Sequence, residues 1–581
     1  MGDAGPPNNF VPPSVQVSST NNNIPAVPAP DITHRPDVDT DVVIIGTGFG
    51  GIRAIHEARK QGFTFKVFER ASGVGGAWHW NSYPGARTDT ESWVYILNIS
   101  KELNDDWVWP ERYPSQVEMK RYFNHVVDRF DMRRHIQFNT EVTEAQYDDD
   151  RNMWTVTTDK GERHTATYII AATGSLSSSL KPPFPGLETF KGQWLMTSSW
   201  GYEPVDFVGK RVAVIGTGAT GVQIVPIIAH GAKSLHVFQR TPNYVLPGRN
   251  WPLHEEAMNE IKRNYEDMWA LARKHSMGFA IPTYGRKTKD YSKEEQQMIL
   301  EAGWESGGFR FIFETFDDMT TDPEANEVAC EFIRHKIRTI VKDKKTADLL
   351  CPHYPFTVKR PPVGHHYFES FNRDNVHLVD ISKQPISEIT PNGLKVGDTE
   401  YEVDIIVFGL GFDVAVGALM KMDIKSRGHV LHKDWDDRLT TYLGIGVQDF
   451  PNFFLCAGAQ APAVNAPMTV DVSIEFLGKT FEFMKKHGMT KVEPKKEAVD
   501  RWEKVMNDAV SKTLIPEAAG KVGSWYVGAN VPGQKHRVLL YFGGLAQYLN
   551  YCNAEADSGF ASFEMSKGHL ARKVIENGDR A

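Results

Sequence analysis

Short apolar runs along the chain are each followed, directly or after one residue, by a glycine. Four such runs stand at residues 41–45, 168–172, 211–215 and 404–408. Continuous apolar, β-branched segments of this length are typical of strands in a parallel sheet that is covered on both faces. Because helical patterns follow the first and third runs, the sequence predicts repeated strand-helix-strand units and an α/β fold.

The first unit contains the glycine spacing of a dinucleotide-binding turn. Gly46, Gly48 and Gly51 follow the strand, a helical pattern covers residues 52–61, and a second strand ends at Glu69. In such a unit the first glycine permits a tight turn, the second lets the backbone approach a pyrophosphate, and the third lets helix and strand pack closely. An acid at the Glu69 position accepts a ribose hydroxyl. The unit therefore predicts FAD or NAD.

The same pattern recurs with a different ending. Gly216, Gly218 and Gly221 form the second glycine turn, but the following strand runs into Arg240 and Thr241 instead of a carboxylate. A cation and a hydroxyl donor suit the 2′-phosphate of NADPH. One unit whose second strand ends in an acid and one whose second strand runs into an arginine together predict a flavoprotein in which hydride passes from NADPH to FAD.

The predicted fold is α/β, with two Rossmann-like dinucleotide-binding domains, one for FAD and one for NADPH, and a helical insertion in the NADPH domain. The runs at 168–172 and 404–408 flank the inserted domain. Residues 1–39 are rich in Pro, Asn and Ser and predict a disordered arm. The predicted divisions are 40–185 for the first part of the FAD domain, 186–395 for the NADPH domain with an insertion at about 251–350, and 396–581 for the second FAD part with a cofactor-covering loop.

The composition of the chain limits the partners and the compartment to be expected. The 581 residues include 65 Lys and Arg against 73 Asp and Glu, a net charge of −8, and no basic block, so nucleic acid is not expected. No run reaches the roughly 18 to 20 apolar residues that cross a bilayer. The four cysteines contain no C-x-x-C pair, which favours the cytoplasm over a disulfide framework. His365 and His366 have no carboxylate at metal-ligand spacing, so no metal is assigned. We expect the protein to be a monomer or a weak homodimer.

Three flavin chemistries compete: disulfide reduction, simple dehydrogenation or isomerisation, and oxygen activation. A flavin disulfide reductase needs two neighbouring cysteines, and Cys330, Cys351, Cys456 and Cys552 are far apart in the sequence. Oxygen activation instead needs a cation that stabilises negative charge in a dry pocket.

One long segment carries a specific resemblance. Residues 75–89, Gly-Gly-Ala-Trp-His-Trp-Asn-Ser-Tyr-Pro-Gly-Ala-Arg-Thr-Asp, resemble a fingerprint of type I Baeyer-Villiger monooxygenases, and the likeness continues at 359–362, at Tyr367, at 371–376 and at 524–533. The resemblance covers nearly all of the chain after residue 40. It implies an enzyme that uses FAD, NADPH and O2 to insert one oxygen beside a ketone carbonyl, giving an ester or lactone.

The resemblance also implies roles for individual residues. Arg360 becomes the catalytic cation and Asp89 the acid that positions it; an arginine suits this role because it stays charged at any working pH. Lys359 joins Arg240 and Thr241 at the NADPH phosphate, and Trp525 lies on a loop that closes over the cofactor. The remaining cofactor-binding residues implied are Gly76, Trp78, Tyr95 and Asp89.

Some positions depart from the family pattern. Met196 replaces the histidine of the fingerprint F-x-G-x-x-x-H-x-x-x-W, and Gly201 replaces the Pro or Asp that usually follows its tryptophan. Gly409-Leu410-Gly411 stands where Ala-Thr-Gly is usual, and residues 458–468 also differ. These changes predict a divergent enzyme that acts on a bulky or natural-product-like ketone. The alternatives are hydroxylation, epoxidation or heteroatom oxidation by a flavin monooxygenase, and a non-oxygenating FAD-dependent isomerase or dehydrogenase.

Overall fold

The computed structural model describes Arg35 and residues 37–567. The predicted disordered arm, residues 1–39, lies almost entirely outside the described residues. In chain order the strands are β1 (Thr40–Ile45), β2 (Phe65–Phe68), β3 (Ile136–Gln137), β4 (Val142–Asp148), β5 (Met153–Thr158), β6 (Arg163–Ala171), β7 (Gln193–Met196), β8 (Arg211–Ile215), β9 (Ser234–Gln239), β10 (Leu246–Pro247), β11 (Val363–Gly364), β12 (Val376–Asp380), β13 (Ile386–Thr390), β14 (Gly393–Val396), β15 (Thr399–Glu402), β16 (Ile405–Phe408), β17 (Asp423–Ser426), β18 (His429–Val430), β19 (Phe453–Leu455), β20 (Lys491–Pro494) and β21 (Phe563–Ser566).

Helices connect these strands in both halves of the molecule. In chain order they are α1 (Phe49–Lys60), α2 (Ala77–Trp80), α3 (Lys101–Asp106), α4 (Gln116–Arg129), α5 (Ala219–Ala229), α6 (Glu255–Arg263), α7 (Tyr265–Lys274), α8 (Lys293–Ser306), α9 (Arg310–Phe313), α10 (Pro323–Ile340), α11 (Lys344–Leu350), α12 (Tyr367–Ser370), α13 (Leu431–Asp437), α14 (Ala466–Lys486), α15 (Lys496–Val510), α16 (Ile515–Ala518) and α17 (Leu545–Asp557). No helix in the described part of the chain is long and apolar enough to cross a membrane.

The first sheet is built around the first apolar run. Its order is β18-β17-β4-β5-β6-β1-β2-β3, and β19 pairs with the second half of β6. β1 is parallel to both β2 and β6, and five of its six residues are buried. The continuous apolar run is thus explained by a central position in a covered sheet. This sheet forms the first nucleotide-binding domain.

The second sheet is parallel throughout and has the order β12-β9-β8-β16-β7. β16 lies between β8 and β7, and its four residues are buried. The second domain therefore extends at least through Phe408, and the predicted boundary at residue 395 is too early. The apolar run at 404–408 is buried inside this domain because it supplies one of its central strands.

The predicted insertion is helical, but it divides between two hydrophobic cores. Met258 and Trp269, from α6 and α7, are buried in the core of the first domain. Trp304 and Phe332, from α8 and α10, are buried in the core of the second domain. The inserted helices thus contribute apolar faces to both cores, because the two halves of the segment pack against different domains.

A buried ionic network also joins the insertion to the first domain. Glu91 Oε1 accepts hydrogen bonds from Arg112 Nε at 3.0 Å and Nη2 at 2.7 Å, and from Arg310 Nε at 3.0 Å. The side chain of Arg112 is fully buried, and its Nη1 donates to the carbonyl oxygen of Ser306 at 2.8 Å. One carboxylate thus holds two cations from distant parts of the chain.

We predict that Glu91→Gln lowers the free energy of unfolding by ~3 to 5 kcal/mol, because removing one charge from a buried ion pair leaves its partners uncompensated. Urea unfolding followed by tryptophan fluorescence measures the change. Glu260→Gln is the control, since Glu260 pairs with Arg263 on the surface and its loss is expected to leave the unfolding midpoint unchanged. Equal midpoints for the two variants would show that the network does not stabilise the fold.

Candidate active site

The first glycine turn joins β1 to α1 and brings them close together. A Cβ at Gly51 would lie 1.8 Å from the carbonyl oxygen of Gly46, so no larger residue fits there. Gly48 is the N-cap of α1 and contributes no side-chain hydrogen bond to the helix N-terminus. Free N–H groups and the helix dipole are suited to a pyrophosphate. The turn therefore fits the predicted nucleotide.

Glu69 is held in place at the end of β2. Its Oε2 accepts from the backbone N–H of Thr47 at 2.8 Å and from the Thr47 hydroxyl at 2.7 Å, and its Oε1 accepts from the N–H of Ala71 at 2.7 Å. A carboxylate offers about four acceptor positions, so one remains for a further donor. The geometry agrees with the predicted contact to a ribose hydroxyl, which stays a prediction.

The second glycine turn has the same backbone geometry. A Cβ at Gly221 would lie 2.1 Å from the carbonyl oxygen of Gly216, while the space beside Gly218 is open. Gly218 is the N-cap of α5 and again contributes no side-chain cap. The two turns thus provide two similar positions for phosphate groups.

A cavity of about 1250 Å³ opens beside the second glycine turn. Residues predicted to bind cofactor or to act in catalysis that line this cavity are Trp78, Asp89, Tyr95, Gly216, Gly218, Arg240, Thr241, Lys359, Arg360 and Trp525. The predicted residues that do not line it are Gly46, Gly48, Gly51, Glu69, Gly76 and Gly221. Gly76 instead approaches the first turn, since a Cβ there would lie 3.0 Å from Gly48 Cα. The structure therefore brings most of the predicted site to one cavity.

Two cations, Arg240 and Lys359, line the cavity near each other. Burial first, and the neighbouring Arg240 second, lower the pKa of Lys359 to about 8. Lys359 Nζ donates to the carbonyl oxygen of Val522 at 3.3 Å. Neither cation forms an ion pair with a carboxylate in the described residues, so their charges are available to an anion such as the 2′-phosphate of NADPH.

Arg360 and Asp89 form an ion pair at the cavity wall. Arg360 Nη1 donates to Asp89 Oδ2; the side chain of Arg360 is 34% exposed and that of Asp89 is 9% exposed. Burial opposes the charge of Arg360, but the facing carboxylate outweighs burial and raises the pKa of the guanidinium above its ordinary value. A permanent cation that is partly open to the cavity is the group that can stabilise developing negative charge.

Aromatic side chains from the helical insertion form another part of the wall. The ring of Phe279 lies 5.3 Å from that of Phe309 and 5.4 Å from that of Phe313, measured between centroids. All three residues line the cavity. Phe311 and Phe316, which lie beside Phe309 and Phe313 in the sequence, are instead core residues that are 0% and 2% exposed. Sequence spacing could not separate these two pairs, because their members alternate along one short segment.

Some of the departures from the family pattern line this cavity, including Gly409 and Gly411, whereas Met196 and Gly201 do not. Met196 ends β7 opposite Phe408 and packs against the core beneath the second sheet. The linker that follows is tied to the fingerprint segment, because Ser82 Oγ donates to the carbonyl oxygen of Gly201 at 2.6 Å. Gly409 lies against the second glycine turn, with its carbonyl oxygen 2.4 Å from the position of a Cβ at Gly216. Gly201 therefore contacts the fingerprint segment of the first domain, whereas Met196 and Gly409 pack within the second domain.

Sequence reasoning missed Gln223. This residue of α5 lines the cavity and donates from Nε2 to Asp89 Oδ1 at 3.3 Å. Its only sequence signal was its place two residues after Gly221 in the dinucleotide-binding helix. Among the described residues, no group of three or more His, Cys, Asp or Glu side chains could hold a metal ion.

The site defines an oxidoreductase that binds two dinucleotides. It has two glycine turns, one strand that ends at Glu69, one that runs into Arg240, and a cavity lined by residues of both domains.

Comparison with known proteins refines this class. The profile of flavin-binding monooxygenase-like proteins matches residues 39–253. A Baeyer-Villiger monooxygenase of Pseudooceanicola batsensis is 41% identical over 93% of this chain and 99% of its own length. A phenazine N-monooxygenase of Lysobacter antibioticus is 39% identical over 90% of this chain and 96% of its own.

A solved structure gives the same result. Cyclohexanone monooxygenase from Rhodococcus sp. Phi1, bound to NADP+, superposes with a TM-score of 0.88 at 40% identity and covers 91% of this chain and 99% of its own. The chain belongs to the Baeyer-Villiger monooxygenase family. The predictions of family, α/β fold class, monooxygenase activity class and the FAD and NADPH cofactor pair are confirmed.

We predict that the Michaelis constant for NADPH rises as the pH passes about 8, the pKa of Lys359. The side chain is a cation below that pH and loses its proton above it, so its attraction for the 2′-phosphate is lost as pH rises. A charge-assisted contact is worth ~1.5 to 3 kcal/mol, which corresponds to a roughly ten- to hundredfold rise when it is fully lost. Steady-state kinetics from pH 6.5 to about 9.5 measure the effect.

NADH and Lys359→Arg are the controls for this pH dependence. NADH has no 2′-phosphate, and an arginine keeps its charge throughout the range, so each is expected to give a flat profile. The same rise with NADH as with NADPH would exclude Lys359 as the phosphate partner.

Proposed function

We propose that the protein converts a ketone, O2, NADPH and a proton into an ester or lactone, NADP+ and water. The observation that carries this proposal is the Asp89–Arg360 ion pair, which faces the cavity beside the NADPH turn. When bound, FAD takes hydride from NADPH and activates O2. The protein must then hold the substrate, keep water out and stabilise negative charge on the reacting oxygen atoms.

Arg360 is proposed to stabilise that charge. Its pKa is raised by Asp89, so it cannot release a proton to the reacting oxygen at any working pH. Part of the guanidinium stays exposed to the cavity while Asp89 occupies another part. Asp89 thereby orients the donors that remain free toward the carbonyl oxygen of the ketone.

The cofactor-binding residues are proposed to work in two groups. Gly46, Gly48, Gly51, Glu69 and Gly76 hold the adenine half of FAD, since they surround the first helix N-terminus. The flavin end is assigned to Trp78 and Tyr95, whose rings meet edge to face at 5.8 Å on the cavity wall. NADPH is assigned to Gly216, Gly218, Gly221, Arg240, Thr241 and Lys359.

The segment that carries Trp525 is proposed to cover the cofactors. Asn530 Nδ2 donates to the carbonyl oxygen of Phe412 at 2.8 Å, and Gln534 Nε2 donates to Asp413 Oδ2 at 3.0 Å. These two contacts dock the segment on the turn that follows β16. Trp525 lines the cavity from this position, which supports a role in excluding water.

The proposed substrate is a bulky, natural-product-like ketone. The side chains of Phe279, Phe309 and Phe313 provide apolar surface for a ring system in the cavity that Arg240 and Lys359 also line. Heteroatom oxidation is the second candidate, because one relative at 39% identity is a phenazine N-monooxygenase. Product analysis with a panel of cyclic and aromatic ketones, set beside an aromatic nitrogen heterocycle, separates the two candidates: an ester supports the first and an N-oxide the second.

We also propose that the enzyme is cytoplasmic and acts as a monomer or weak homodimer. All four cysteines are buried and free, an arrangement that needs no oxidising compartment. Size-exclusion chromatography with light scattering, run over a range of protein concentrations, tests the assembly. A concentration-independent larger oligomer would contradict it.

We predict that Arg360→Ala retains FAD but forms no oxygenated product, because removing a donor to developing negative charge costs about 3 kcal/mol or more. Arg360→Lys is also expected to lose most product, since an ammonium lacks the planar fork and can release its proton. Flavin absorbance, product chromatography and hydrogen peroxide release are measured together. Arg263→Ala, a surface substitution, is the control. If Arg360→Ala formed as much oxygenated product as the wild type, the arginine would have only a structural role.

We predict that Met196→Leu retains most ester-forming activity. Met196 packs against apolar neighbours under the second sheet, and leucine nearly conserves its volume. A thioether does not titrate, so the position is expected to act through packing under the second sheet. Total turnover and the ratio of ester to hydrogen peroxide are compared. A wild type that releases only hydrogen peroxide across the ketone panel, together with oxygen insertion restored by Met196→His, would show that an ionisable group is needed there.

A further inference from the structure

The buried amide of Gln223 uses every hydrogen-bonding position it has. Oε1 accepts from the Tyr83 hydroxyl at 2.8 Å and from the N–H of Arg87 at 3.4 Å, while Nε2 donates to the carbonyl oxygen of Arg87 at 3.0 Å and to Asp89 Oδ1 at 3.3 Å. An amide has two donors and two acceptor positions. Since each is matched to a partner of the right kind, the orientation of the side chain is set by its surroundings.

All of these partners lie in one segment of the first domain, whereas Gln223 belongs to the second. Gln223 lies on α5, whose N-terminus is the second glycine turn. Tyr83 and Ala86 are themselves buried in the core of the second domain. At Gly85 the two backbones approach so closely that a Cβ would lie 2.6 Å from the carbonyl oxygen of Gln223. The segment 83–89 is thus held on α5.

The Asp89 carboxylate is bound at both oxygens. Oδ2 accepts from Arg360 and Oδ1 accepts from Gln223. Rotating the carboxylate away from the arginine would therefore break a second hydrogen bond, and Asp89 is 9% exposed, so water cannot readily replace it.

We infer that Gln223 is a positioning residue, which links the NADPH-binding helix to the orientation of Asp89 and, through Asp89, to the donors that Arg360 presents to the substrate. The inference rests on the proposed roles of Arg360 and Asp89. It implies that the cation is correctly aimed only when α5 and the segment 83–89 are docked. An arginine that is charged but misaligned would allow NADPH oxidation while losing oxygen transfer.

Gln223→Met in the FAD-loaded full-length enzyme tests the inference, because methionine fills a similar volume without the amide. We expect the ratio of hydrogen peroxide to oxygenated product to rise by about tenfold, the effect of losing a hydrogen bond to a charged group. FAD content and the dissociation constant for NADP+ are expected to stay within about twofold of wild type, since the glycine turns are intact. Tyr83→Phe is the matched variant: it removes one contact to Oε1 but keeps both donations from Nε2, so its ratio should stay closer to wild type.

A double-mutant cycle separates positioning from general stabilisation. If Gln223 acts through Asp89, adding Gln223→Met to Asp89→Ala changes the product ratio no further. Additive effects would overturn the inference. If Gln223→Met loses FAD, Gln223→Glu is tested in the same cycle, and loss of FAD from both variants would assign Gln223 to folding and also overturn it. Product formation by Arg360→Ala would instead contradict the proposed function of Asp89 and Arg360. That result is independent of the double-mutant cycle, so the two failures can be distinguished.

Discussion

The ion pair between Asp89 and Arg360 crosses the boundary between the two nucleotide-binding domains. Asp89 ends the fingerprint segment of the first domain, and Arg360 follows Val358, which is buried in the core of the second. Neither residue could be placed in a pocket of this polarity alone, because a half-buried charge needs a partner. Docking of the domains and assembly of the site are therefore one event.

The boundary between the two domains is also stabilised by contacts that take no part in the proposed reaction. The helical insertion packs one half into each core, and the Glu91 network ties Arg310 of the insertion to Arg112 of the first domain. Phe309 and Phe313, at the two ends of the short helix that starts at Arg310, line the cavity. The part of the aromatic wall that Phe309 and Phe313 form is thereby held by the short helix that is paired with Glu91.

Local sequence patterns predicted the features that depend on neighbouring residues. The glycine turns, the strands before them, Glu69 and Arg240 follow from backbone sterics and strand ends, so spacing alone located them. Asp89 and Arg360 came from a family resemblance, because nothing in the sequence brings residues 271 positions apart together. The position of β16, the division of the insertion and the contacts of Gln223 depend on long-range packing, which leaves no periodic signal in a single chain.

We propose that this chain transfers one oxygen atom from O2 to a ketone beside the Asp89–Arg360 pair. The test is turnover under 18O2 with a cyclic ketone and phenazine supplied together, followed by mass spectrometry. We expect an ester or lactone that carries one 18O atom, formed in proportion to the NADPH consumed. Label found only in hydrogen peroxide and water, or only in a phenazine N-oxide, would contradict it.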